Sequence, residues 1–108
     1  DYNPLHADQT FAQNTIFGGR VIHGPLTAGI MTGLLGNYFA GTIIAFLEQH
    51  MQFKAPVRVG DTITTRWEVV DKRPTRKYKG GVVTLKAICR NQKGEIVAEG
   101  EGKILLSD

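Results

Sequence analysis

Residues 24–41 contain no Asp or Glu and carry apolar side chains at helical spacing. From residue 43 onward the apolar spacing changes to two. That switch constrains the fold more than any other feature of the chain. Pro25 suits the first turn of a helix, and the spacing predicts a helix running to about Tyr38. Leu26, Ile30, Met31, Leu34 and Leu35 make most of its circumference apolar, which predicts deep burial. Gly29 and Gly33 lie one turn apart, and each weakens a helix by about 1 kcal/mol relative to Ala. Two such glycines point to close approach by another backbone.

Four strands are predicted after the helix. The first covers 43–54, with Ala45, Leu47, Gln49, Met51 and Phe53 on one face. The second covers 62–72 and groups Ile63, Thr65, Trp67 and Val69. A basic, polar loop is expected over 71–81. The third strand, 82–90, groups Val83, Leu85, Ala87 and Cys89. Asn91-Gln92-Lys93-Gly94 reads as a tight hairpin turn into the last strand, 95–106. Gly100 and Gly102 in that strand allow a bend or a close approach. The expected architecture is α+β: an antiparallel meander forming a curved sheet wrapped around a central apolar helix.

Upstream of the helix, Asp8 reads as the N-cap of a short helix over 9–14, with Phe11 and Ala12 turned inward. Before it stands Asp1-Tyr2-Asn3-Pro4-Leu5-His6. Pro4 fixes its own φ and biases Asn3 towards extended backbone, and Asn3 can bond its neighbouring backbone. This stretch is expected to be a loop that aims Asp1 and His6. A carboxylate and an imidazole so placed can activate water and move a proton. From their spacing alone a loop-capping ion pair is the favoured reading. Gly24 offers a backbone N–H at a helix start, where free amides and the positive dipole end favour a developing oxyanion. The alternative reading is a simple helix-entry glycine.

Composition narrows the function classes. The chain has 108 residues, which suits one domain over 1–108. No apolar run approaches the roughly 20 residues of a membrane helix. The lone Cys89 makes no internal disulfide, so a reducing, cytoplasmic setting is expected. A net charge of +3 does not call for nucleic acid, though it favours a phosphate-bearing ligand. The run from Lys72 to Lys79 can touch such phosphates or be a solvated hairpin tip. Asp1, His6, His23 and Cys89 lack metal-ligand spacing, so no metal or cofactor is expected.

The stretch Asp1-Tyr2-Asn3-Pro4-Leu5-His6-Ala7-Asp8 resembles the hydratase-2 signature of the MaoC-like, (R)-specific enoyl-CoA hydratases. The likeness continues through Phe17-Gly18, Val21-Ile22-His23-Gly24 and Phe53-Lys54-Ala55-Pro56-Val57-Arg58-Val59-Gly60-Asp61. It implies a hot-dog fold. It further implies that Asp1 and His6 hold and activate the water that adds to a trans-2-enoyl thioester, with the Gly24 N–H as oxyanion donor. Asn3 and Thr32 are supporting candidates near the substrate. The resemblance also implies an acyl-CoA substrate and a homodimer whose sheets join edge to edge. Members of that family carry a strand and a helical segment before the motif, so the chain is expected to lack its N-terminal segment. The reverse dehydration, on CoA or acyl carrier protein, uses the same groups. A hot-dog thioesterase needs a carboxylate on the central helix, and residues 24–41 have none. A non-catalytic acyl-CoA-binding subunit is the remaining alternative.

Overall fold

The computed structural model describes residues 1–75 and 80–107. Three helices precede four strands: α1 (Pro4–Ala7), α2 (Gln9–Gln13), α3 (Gly24–Tyr38), β1 (Ile43–Phe53), β2 (Thr64–Pro74), β3 (Gly80–Arg90) and β4 (Ile96–Ser107). The strands form one antiparallel sheet in the order β1-β4-β3-β2. Only β2, β3 and β4 are a meander. The first strand does not lie beside the second, as a simple meander requires; it pairs with the last. The connection through 54–63 crosses the end of the sheet instead. It buries Val57, and its backbone bonds the Val21–Ile22 segment, with Ile22 N donating to Val57 O at 2.7 Å.

The helix boundaries match the sequence expectation, but its burial does not. Met31 and Leu35 are buried, as are Thr27 and Ala28. Leu26, Ile30 and Leu34 are 46%, 48% and 45% exposed. One face of α3 is packed and a second apolar face is open. Outside the helix's own turns, no described atom stands within 4 Å of where a Cβ would sit on Gly29 or Gly33, so no backbone among the described residues approaches them. In α2 the inward position is Ala12, fully buried; Phe11 is left at the surface. Five residues provide room for one inward side chain, and the smaller one takes it.

The core lies between α3 and the sheet. Met31 packs with Val57, Ala87, Cys89, Val97 and Ala98. Leu35 packs with Val83, Leu85 and Ile104. Burying a side chain of this size contributes about 1.5–3 kcal/mol. Trp67 touches both groups, and its indole N–H donates to Met31 O at 2.8 Å, pinning the helix to the sheet. The face predicted for β3 holds at every position named: Val83, Leu85, Ala87 and Cys89 are all buried.

The face predicted for β1 is broken by two bulges, which skip Ile44 and Leu47 in the ladder. Each bulge reverses the alternation. The residues opposite the core-facing row of β4 are therefore Ile43, Phe46, Gln49, Met51 and Phe53. Gly100 and Gly102 are explained by the same pairing. A Cβ on Gly100 would meet Met51 Sδ, and one on Gly102 would meet the Phe46 ring at 3.3 Å. Large side chains on β1 fill the space that two glycines leave on β4.

The second strand starts at Thr64 rather than Thr62 because the preceding residues are held by a clasp. Asp61 accepts from Arg58 N at 2.8 Å and from the Gln92 amide at 2.9 Å, while Gln92 Oε1 accepts from Thr62 N at 3.0 Å. The Arg58 N–H, and after it the Gln92 amide, hold the Asp61 carboxyl below its ordinary value. The strand also runs on to Pro74, so Lys72 and Arg73 belong to β2 rather than to a long loop. Arg76 to Lys79, the rest of the basic run, lie outside the described residues.

Candidate active site

The stretch from Asn3 to Ala7 is a capped helical turn, not the loop expected. Asn3 is the N-cap of α1, Pro4 is its first residue, and Asn3 Oδ1 accepts from Leu5 N at 3.0 Å. Asn3 O also takes the His6 and Ala7 amides. Sequence chemistry explains the difference: asparagine caps, and proline tolerates the first helical position where no N–H is needed. The turn brings the two titratable side chains round to one side. His6 Nε2 stands 3.8 Å from Asp1 Oδ2. That is too long for a direct hydrogen bond and short enough for one water to touch both atoms.

Each partner of this pair is held from behind. Asp1 Oδ1 accepts from Asn3 N at 2.9 Å. His6 Nδ1 lies 2.8 Å from Val21 O. A carbonyl only accepts, so Nδ1 carries a hydrogen, and Nε2 is the nitrogen turned towards Asp1. The His6 side chain is 21% exposed and that of Asp1 45%. The His6 ring also lies 5.9 Å from the ring of His23, the residue before α3.

A cavity of about 340 Å³ opens beside that helix start. Its wall includes Phe17, Val21, Gly24, Thr27, Phe53 and Val57. Asp1 and His6 are not part of this wall; His6 is tied to it through the carbonyl of Val21, a wall residue. Gly24 is the first residue of α3, and its N–H has no hydrogen-bond partner among the described residues. Phe53 lies against it. A Cβ at position 24 would fall 2.8 Å from Phe53 Cε2 and 2.9 Å from Cζ. Gly24→Ala is therefore expected to cost about 1–3 kcal/mol of stability through overpacking. The denaturation midpoint reads this, and Phe53→Leu in the same chain should recover part of the loss.

Thr32 is not in the cavity wall. Its hydroxyl donates to Ala28 O at 2.8 Å, within the helix. Thr27 is the hydroxyl that reaches the cavity, and sequence reasoning missed it. The signal was available: Thr27 lies one turn beyond Gly24 and is a polar residue on the same face as Met31. Arg58 was also missed as a positioning group. Its guanidinium donates to Phe17 O and its backbone bridges to Val21, so it braces two wall segments at once. No helix among the described residues is long and apolar enough to cross a membrane.

A four-stranded antiparallel sheet packed on one face of a single long helix is the arrangement of a hot-dog domain. The chain belongs to the MaoC-like domain family, whose model matches residues 1–91. It is 37% identical over 106 residues to the (R)-specific enoyl-CoA hydratase of Rhodospirillum rubrum, covering 98% of this chain and 70% of that one. It is 34% identical over 105 residues to the 3-hydroxybutyryl-CoA dehydratase of Methylorubrum extorquens, covering 96% of this chain and 63% of that one. Among solved structures, the (R)-hydratase of Aeromonas caviae superposes with a TM-score of 0.80 at 36% identity, covering 96% of this chain and 76% of that one.

Proposed function

We propose that this chain is a hydro-lyase that adds water to a trans-2-enoyl-CoA to give (R)-3-hydroxyacyl-CoA. The observation that carries the reading is the 3.8 Å approach of His6 Nε2 to Asp1 Oδ2, with His6 tied through Val21 O to a cavity walled by the first residue of α3. The hydratase and dehydratase names of its relatives support the reaction class, and the (R)-specific ones support the product's hand.

The reaction needs a base for water, a proton for Cα and a donor for the thioester oxygen. Water between Asp1 and His6 donates one hydrogen to the carboxylate and one to Nε2, so its lone pair faces Cβ. Asp1 takes the proton as the C–O bond forms at Cβ. The electron pair of the double bond moves towards the thioester oxygen, and the Gly24 N–H holds the resulting enolate charge. Asp1 and His6 together return the proton to Cα, so one water is consumed and nothing else changes. A positioned acid–base group contributes about 10²–10⁴-fold in rate. The reverse dehydration runs through the same groups. Asn3 orders the turn that bears Asp1 and His6, and Thr32 braces α3 through its own backbone. CoA enters as part of the substrate, no further cofactor is required, and the cytoplasm is the proposed setting.

The test is incubation with crotonyl-CoA. Loss of the conjugated absorbance, with (R)-3-hydroxybutyryl-CoA as product, is the expected result. Thiol release without hydration would instead make the chain a thioesterase, and binding without turnover would make it a carrier subunit.

A homodimer is part of the same proposal. The half-exposed row Leu26, Ile30 and Leu34 and the open space over Gly29 and Gly33 suit a second helix. Among the described residues, β1 and β2 are the two edges of the sheet. The Cα radius of gyration is 16.5 Å, against about 13 Å for a compact chain of about 100 residues. Ile30→Glu is expected to turn a dimer into a monomer in sedimentation equilibrium. A wild-type monomer, or a variant as dimeric as the wild type, would contradict it.

A further inference from the structure

We propose that the Thr27 hydroxyl is a second donor to the thioester oxygen, completing with the Gly24 N–H a two-donor oxyanion hole. This rests on the enoyl-thioester reading above and extends it to a residue not counted in that chemistry. Thr27 is 2% exposed, yet it contributes to the cavity wall together with Gly24. No hydrogen bond is found for its hydroxyl among the described residues, and the oxygen is not one of the fully enclosed unpartnered atoms; it opens to the cavity. Threonines inside helices usually donate to the carbonyl four residues back, as Thr32 does to Ala28 O at 2.8 Å. For Thr27 that carbonyl is His23 O, and it already receives the amides of Leu26 at 3.1 Å and Thr27 at 3.4 Å.

A hydroxyl on a cavity wall with no partner in the protein keeps its donor available to whatever fills that cavity. The geometry names what that is. Side chains in a helix lean towards its N-terminus, so residue 27 covers the turn that begins at Gly24. The hydroxyl of Thr27 and the N–H of Gly24 therefore face the same end of one cavity. Both are donors, and neither is spent. A carbonyl oxygen that becomes an oxyanion accepts from both, with no proton transferred to either.

The experiment compares wild type, Thr27→Val and Thr27→Ser on crotonyl-CoA. Valine keeps the shape and removes the donor; serine keeps the donor and removes the methyl. Thr27→Val is expected to lose on the order of 10²-fold in kcat with little change in KM, as for one oxyanion donor. Thr27→Ser should restore most of kcat. Full kcat in Thr27→Val, or an equal loss in both variants, overturns the proposal. The second readout is the absorbance of crotonyl-CoA bound to the same proteins. Polarisation of the carbonyl by two donors shifts the enoyl band to longer wavelength, and Thr27→Val should reduce that shift. An unchanged shift overturns the proposal even if wild type turns nothing over, an outcome that would sink the hydratase reading on its own. Should Thr27→Val not fold, Thr27→Ala carries both measurements.

Discussion

Asp1→Asn lowers kcat on crotonyl-CoA by about 10²–10⁴-fold, the range of one positioned acid–base group, while the fold and the affinity for substrate stay nearly unchanged. The reason is how little the carboxylate does structurally. It is half exposed and keeps one hydrogen bond, from Asn3 N to Oδ1, which an asparagine oxygen accepts equally well. What the amide cannot do is take a proton from water. A coupled measurement of kcat, KM and melting temperature checks this. Full turnover by Asp1→Asn would remove Asp1 from the role of base.

His6→Asn is the second large effect, a loss of about 10²-fold or more in kcat. The imidazole has two duties on two nitrogens. Nδ1 bonds Val21 O at 2.8 Å and so ties α1 to the cavity wall; Nε2 faces Asp1. The asparagine amide nitrogen falls near the position of Nδ1, so the tie survives and only Nε2 is lost. His6→Ala removes both, and should add a stability loss of about 0.5–1.5 kcal/mol for the missing hydrogen bond. Comparing the two by turnover and by urea midpoint separates chemistry from anchoring. An active His6→Asn would make the ring structural.

Much of this was legible in the sequence where local rules decide. The ends of α3 follow from Pro25 and from the apolar spacing, and the buried row of β3 follows from strict alternation. The Asp8 cap is as expected, with Asp8 Oδ1 accepting from Thr10 N and Phe11 N. What local rules miss is set by distant partners. The pairing of β1 with β4 depends on a crossover that no neighbouring residue announces. The bulges at Ile44 and Leu47 reverse a pattern that looks regular in the sequence. The open face of α3 looks the same as its buried face when only residue types are visible. At the site, the motif drew attention to Asp1, His6 and Gly24. The choice between Thr27 and Thr32 needed the wall of the cavity and the path of each hydroxyl.

The structure of Asp1→Asn with unreacted crotonyl-CoA bound tests the central claim most directly. The thioester oxygen is expected within hydrogen-bonding distance of Gly24 N, with Cβ turned towards residue 1 and His6 Nε2 and the acyl group along the cavity beside Phe53. A thioester oxygen away from the start of α3, or a Cβ on the far side of the acyl plane from His6, would contradict it.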